Sequence, residues 1–399
     1  MNNVRADLPR IMVALCGDVT RDPESIIKYG VFLESLGCRF SIPAIYDAKL
    51  YGLQLLISAI PVWHPDLNTW RARTHKSVDG FVRRSRGASR RIRGLRGQVD
   101  LVLQLGVLFD AGWDDSPVPS VIYTDYTASM SANHPEAGRS PFHGMALEHW
   151  LELERKAMQR ARQVCVRSRA VKQSLIEDYS LPPDHITIIG GGLNLSQLPG
   201  LPPHPADRPP TALFIGLDFY RKGGDLVLKA FALARESVPN AQLLFVSAGS
   251  IPSGLPLAGV KIFPPIWDRE QFLSLYPQAD LLVLPSRLET WGDVLLEAMA
   301  YGLPCIGVAG QPMEEIIRHE QTGLLVPPER VDALAESLTY LFTQPQLRER
   351  MGNAGRDLVA RDFTWERVAD RITPILESAS CLKKSDEVLS KRLARTGED

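Results

Sequence analysis

"LPGLPPHPADRPP", residues 198–210, holds six prolines in thirteen positions, and no apolar period runs through it. Proline lacks the amide hydrogen and clashes inside a helix, so neither regular element continues here, and the stretch reads as a linker. Before it, short β-rich runs alternate with helical patterns: "IMVALCG" (11–17), helix "ESIIKYGVFLESLG" (24–37), "DLVLQLG" (100–106), "SVIYTDYT" (120–127), helix "ALEHWLELERKAMQRA" (146–161), "QVCVRS" (163–168) and "HITIIGGG" (185–192). After it the alternation restarts with "TALFIG" (211–216), helix 225–237, "QLLFVSAG" (242–249), "VKIFPP" (260–265), "DLLVLPS" (280–286), helix 293–301, "CIGVAG" (305–310) and "GLLVPP" (323–328). Near-continuous apolar strands alternating with helices form parallel sheets covered on both faces. An α/β architecture that stops at a proline-rich linker and begins again predicts two doubly wound domains facing each other across a cleft. The predicted divisions are residues 1–197, the linker 198–210, residues 211–378, and a polar tail 379–399 expected to fray.

Composition narrows the function classes. A chain of 399 residues exceeds one ordinary core. Its 45% apolar and 23% charged residues are those of a soluble globular protein, and a net charge of −1 excludes a general polyanion binder. The five cysteines form no CxxC and no His/Cys cluster, which argues against zinc and for a reducing compartment. Cys16 and Cys305 sit in strand-like runs as core fillers. The first ten residues lack the apolar stretch of a signal peptide. The longest apolar segment, "LQLLISAIPVW" (53–63), has eleven residues and a proline, against the ~20 needed to span a bilayer. A cytoplasmic location is expected, with peripheral attachment at the inner membrane face left open.

Charge is nevertheless concentrated in "FVRRSRGASRRIRGLRGQ" (81–98), which carries seven arginines and no acidic residue. As a helix it would align Arg83, Arg86, Arg90 and Arg93 on one face. Two readings stand: a solvated basic face balanced by acids elsewhere, or a contact for an anionic membrane or phosphorylated lipid through residues 83–96. The patch lacks interleaved aromatics for base stacking, so no nucleic-acid partner is expected.

Two segments carry candidate chemistry. In "LETWGDVLLEAMAYGLP" (288–304), Glu289 and Glu297 bracket a strand-to-helix junction at Gly292 and Asp293. Strand 280–286 should end where open α/β sheets bind ligands. The first amides of the following helix, near Gly292, Asp293 and Val294, have no intrahelical partner and make an anion site, and a glycine lets a phosphate come close. Glu289 can reach hydroxyls on one side, and Glu297, one turn inside the helix, can accept from a ribose-like diol. In "LFIGLDFYRKGGDLVLKAF" (213–231), a short loop delivers Arg221 and Lys222 beside another helix start, which suits a diphosphate. The bland alternatives are solvated loop and helix charges.

Together these segments resemble the family-4 type of retaining glycosyltransferases, glycosyl transferases group 1, which have the GT-B fold of two Rossmann-like domains. The resemblance rests on Arg221–Lys222 before a glycine pair, on Glu289 through Glu297 continued by Ala298, Met299, Ala300, Gly302 and Pro304, and on "AGQPMEEIIRHEQTGLLVPP" (309–328). It is similar over roughly residues 146–372. It departs where Leu217 follows Gly216 in place of an arginine, where Thr290–Trp291 replaces Gly-Phe, and where the N-terminal domain lacks a Gly-Gly loop. Gly17 and Asp18 occupy that last place, and Asp125, with His134 beyond it, stands near the expected acceptor-side histidine.

The resemblance implies sugar transfer from a nucleotide-diphosphate donor to an unidentified acceptor (glycan, lipid or other), with retained anomeric configuration. No D-x-D triplet occurs, so no metal is implied, and no cofactor beyond the donor substrate is expected. By resemblance Lys222, Arg221 and Glu289 are the catalytic group, and Gly292, Asp293, Val294 and Glu297 bind the donor. Asp125, Gly17 and His134 lie on the acceptor side, with Asp125 positioning rather than abstracting a proton. A GT-B sugar-nucleotide epimerase, a phosphorylase and a non-catalytic sugar-nucleotide binder are the alternatives.

Overall fold

The computed structural model describes residues 8–133, 144–201 and 208–395. Two compact units emerge. The first takes the chain up to Gly190 and again from Val368, and the second runs from Gly191 to Arg367.

The first unit is built on β1 (Arg10–Leu15), β2 (Ser41–Asp47), β3 (Leu101–Leu105), β4 (Ser120–Thr124), β5 (Gln163–Val166) and β6 (Ile186–Ile188), in the order β2-β1-β3-β4-β5-β6. The second is built on β7 (Thr211–Ile215), β8 (Gln242–Val246), β9 (Val260–Phe263), β10 (Leu281–Val283), β11 (Cys305–Val308) and β12 (Gly323–Val326), in the order β12-β11-β10-β7-β8-β9. Every pairing is parallel. β3, β4, β7, β10 and β11 are buried along their whole lengths, as strands with helices on both faces must be. The expected α/β class with two Rossmann-like sheets is what the chain forms.

The strand order creates one reversal in each sheet, between β1 and β3 and between β7 and β10, where connections leave in opposite directions. Ligands of open α/β sheets bind at the carboxyl ends of such neighbours.

Three sequence expectations need correction. β2 did not stand out in "SIPAIYD", because it is an edge strand with one buried residue, Ala44, and an edge tolerates Pro43. The division falls at Gly190 rather than 197. The backbone is helical over Trp365–Arg395, and residues 396–399 of the expected tail lie outside the described residues. That helix brings Val368, Ile372 and Leu376 into the buried interior. Arg39 Nη2 lies 2.5 Å from Asp370 and Arg371 donates to the Ile189 carbonyl at 2.9 Å, so the helix returns to the first unit instead of ending the second at 378.

The arginine-rich stretch is helical over Val78–Gly94, with Ser77 Oγ capping the Gly80 amide at 3.0 Å. The basic face is narrower than the spacing predicts. Arg84 is buried, donating to the carbonyls of Leu108 and His75 at 2.8 Å each, and Arg83 is held by Asp79 at 2.6 Å. Arg86, Arg90, Arg91, Arg93 and Arg96 remain exposed. Among the described residues, no helix is long and apolar enough to cross a membrane.

Helix Met145–Arg160 carries Glu154 into the first unit's interior, where it accepts from the Ala128 amide at 3.0 Å and from the Tyr179 hydroxyl. Burial pushes its carboxyl up to about 7, against the pull of those hydrogen bonds. The folded state therefore keeps a proton that the unfolded chain has lost above the ordinary carboxyl pKa, so this group's contribution to stability falls as pH rises toward 7. Thermal unfolding followed from about pH 5 to about pH 8 should show a wild-type decline that Glu154→Gln flattens. Parallel slopes for the two proteins would contradict the assignment.

Candidate functional site

The reversal in the second sheet brings the two signature segments together. The loop after β7 and the loop after β10 both emerge there, and Lys222 Nζ forms an ion pair with Glu289 Oε2. Both side chains are largely shielded, at 15% and 6% exposure. Glu289 also accepts from Ser286 Oγ at 3.3 Å, and its amide donates to Gln311 Oε1 at 3.3 Å.

The close approach of the loops depends on Gly223. It has φ +75°, and a Cβ there would stand 2.2 Å from the Pro285 carbonyl oxygen. No side chain fits that gap, and the left-handed backbone suits glycine alone. Gly292, at φ +105°, makes the matching turn into helix Asp293–Ala300. Neither that helix nor Gly224–Ser237 has a side-chain cap at its N-terminus. Two helix starts thus open beside Lys222, the arrangement that favours an anion. Asp293 and Val294 are half-buried at the start of the shorter helix.

Arg221 differs from its expected place as a diphosphate fork. It is 6% exposed; its Nε donates to Asp218 at 3.0 Å and its Nη1 to the Leu288 carbonyl at 3.2 Å. It braces one loop against the other. Arg287 adds a second brace, paired with Asp225 at 2.7 Å and Glu329 at 2.8 Å.

Glu297 is buried, so it is not an ordinary solvated helix residue. Arg269 Nη2 and the Tyr276 hydroxyl each donate to it at 2.6 Å, and Arg269 also donates to the Asn194 carbonyl at 3.0 Å. Burial raises the carboxyl's pKa, and Arg269 and Tyr276 oppose that. Tyr276 stacks on Tyr301 at 5.2 Å. Sequence reasoning missed Arg269, in "PPIWDRE" (264–270), and Tyr276. An arginine beside a short helix start was the available signal.

The acceptor-side residues lie in the first unit. Asp125, just beyond β4, pairs with Lys28 at 3.0 Å. Burial works against the Lys28 ammonium, but Asp125 and Tyr29 outweigh it and raise its pKa. The Gly17 amide, after β1, donates to Asp47 at 2.8 Å. His134 lies outside the described residues. Asp125 and Lys28 line a 330 Å³ cavity at the carboxyl ends of β1, β3 and β4, with Lys49, Lys76 and Glu154 also in its wall.

Residues 202–358 match the family of glycosyl transferases group 1. The matched part of the chain contains Lys222, Glu289 and Glu297. The GDP-mannose-dependent monoacylated alpha-(1-6)-phosphatidylinositol monomannoside mannosyltransferase of Corynebacterium glutamicum is 33% identical over 171 residues, 40% of this chain and 44% of its own length. The D-inositol 3-phosphate glycosyltransferase of Jonesia denitrificans is 28% identical over 225 residues, covering 50% and 53%. The chain spans about half the length of these relatives. In fold, sucrose-phosphate synthase from Thermosynechococcus elongatus superposes with a TM-score of 0.65 at 20% identity, over 93% of this chain and 98% of that one. The fold is GT-B.

Arg269→Met would leave a buried carboxylate with Tyr276 as its remaining donor among those described above. It should cost about 3 kcal/mol in urea unfolding, and adding Glu297→Gln should recover most of the loss. Wild-type stability of the single variant would show that the pair contributes nothing.

Proposed function

We propose that the protein transfers a sugar from a nucleotide-diphosphate donor, with retention of configuration, to an acceptor held by the first unit. The Lys222–Glu289 ion pair at the β7/β10 reversal, beside two helix starts without side-chain caps, is the observation that carries this. The diphosphate takes the place of Glu289 as the partner of Lys222, and the helix amides accept the charge that grows as the donor bond breaks. Released from the lysine, Glu289 accepts from hydroxyls of the transferred sugar. Glu297 keeps Arg269 and Tyr276 and still has lone pairs for a ribose diol. Arg221 and Arg287 act as positioning residues.

The leaving phosphate takes the acceptor's proton, and Lys222 holds the phosphate as it does so. No metal is called for, because the cations are the protein's own. Asp125, tied to Lys28, positions the acceptor rather than abstracting its proton. Lys28, Lys49 and Lys76 line the same cavity, and Gly17 follows its lining residue Cys16. The exposed arginines of Val78–Gly94 supply peripheral contact with an anionic surface.

With a nucleotide sugar and acceptor found by screening, Lys222→Ala and Glu289→Ala should each lose at least about a hundredfold in transfer rate while keeping a cooperative thermal transition. Wild-type rates in both would remove the site assignment. Donor given without acceptor should not be epimerised, and an epimerised sugar would replace transfer with the alternative chemistry. Transfer should also survive excess chelator. Loss restored by manganese or magnesium would overturn metal independence.

A further inference from the structure

Between β2 and helix Val78–Gly94 the chain makes an excursion whose two ends line the first-unit cavity through Lys49 and through His75 and Lys76. Its middle consists of helix Gly52–Ala59, the short turn Ile60–Val62 and helix Leu67–His75. At the N-terminal end of helix Gly52–Ala59 the hydroxyl of its N-cap residue Tyr51 donates to Asp47 at 2.5 Å, and its C-terminal end is anchored in the first unit. Ser58 and Ala59 are its buried residues; Ser58 Oγ donates to Asp79 at 2.7 Å, and the Ala59 carbonyl accepts from Trp70 Nε1 at 2.8 Å.

The rest of the stretch faces solvent. Leu53 is 71% exposed, Leu56 53%, Ile60 64% and Trp63 65%, with Tyr51 and Leu67 at 59% and 50%. Isolated exposed leucines need no explanation, but this many large apolar side chains on one short stretch do. Full burial of such an aliphatic side chain is worth about 1.5–3 kcal/mol, and these residues forgo the larger part of it. Tyr51 and Trp63 flank the aliphatic residues, and such rings favour the boundary between hydrocarbon and water. The segment is too short to span a bilayer, and its exposed apolar residues suit a position along the surface of one.

Charge selects the occupant. Residues 49–98 hold eleven Lys/Arg and two Asp in a chain of net charge −1. Asp79, which receives Ser58, also holds Arg83, so the apolar helix and the arginine helix are joined at that point. An isologous contact between two copies would set this positive region against itself. An anionic lipid surface matches both the apolar stretch and the cations beside it.

We propose that residues 51–67 seat the protein in the interfacial layer of an anionic membrane, with Lys49, His75 and Lys76 carrying the excursion back to the acceptor-side cavity. Purified full-length protein is sedimented with vesicles of phosphatidylcholine alone and of phosphatidylcholine mixed with phosphatidylglycerol, at low and high salt. No donor or acceptor is present, so the outcome is independent of the glycosyltransferase reading. Wild type should sediment with the mixed vesicles, and Trp63→Phe should remove a blue shift in tryptophan emission seen on binding. Leu53→Gln/Leu56→Gln/Ile60→Gln should lose binding about tenfold or more at either salt and unfold no earlier than wild type, because these side chains are exposed. Arg86→Gln/Arg90→Gln/Arg91→Gln should lose it mainly at low salt. Absence of wild-type binding, binding retained by the apolar triple variant, or a lowered unfolding temperature in it would overturn the proposal. So would a lipid-free dimer that the apolar variant dissociates, which would assign the face to a second copy.

Discussion

One ion pair, Lys222 with Glu289, sets the geometry of the second unit's reversal point. Two charges taken this far out of water are tolerated only if each finds the other and further hydrogen bonds besides. Ser286 Oγ and the Thr290 amide supply some of these, and the two loops are locked at the required separation by Gly223 against Pro285. Arg221 and Arg287 then tie the loops to each other and to helix Gly224–Ser237. The result is a lysine and a carboxylate fixed in advance. An incoming diphosphate exchanges partners with them and need not order a flexible loop, which is what makes electrostatic stabilisation effective.

The first unit uses the same kind of partnership for another end. Lys28 and Asp125 pair in the cavity wall, while Glu154 sits deeper with Tyr179 and keeps its proton to higher pH. A chain near neutrality thus hides strong local polarity. The second unit holds the charges at its reversal point in pairs, whereas the excursion after β2 and the arginine helix that follows it leave large apolar side chains and arginines exposed.

Most of the architecture was legible because central strands of a parallel sheet are apolar throughout, and β7, β10 and β11 stand out for that reason. β2 was not, since an edge strand needs no apolar run. Glu289 and Glu297 were legible from their spacing around a helix start, but their burial was not. That depends on Lys222, Arg269 and Tyr276, which arrive from 67, 28 and 21 residues away. Arg221 was legible as a cation near a helix start and not as a brace, because its partner at Leu288 is a backbone carbonyl with no sequence signature. Trp291, standing where the resembling family has phenylalanine, is 3% exposed and packs edge-on to Phe363 at 6.0 Å, so the change enlarges the core.

The central claim is that Glu289 holds Lys222 until a diphosphate replaces it. Calorimetric titration with a nucleoside diphosphate lacking the sugar tests this directly, because such a ligand needs the lysine and not the glutamate. Lys222→Met should weaken binding, whereas Glu289→Gln should leave it equal or tighter, since the competing carboxylate charge is gone. Equal weakening by both substitutions, or no effect from Lys222→Met, would contradict the account.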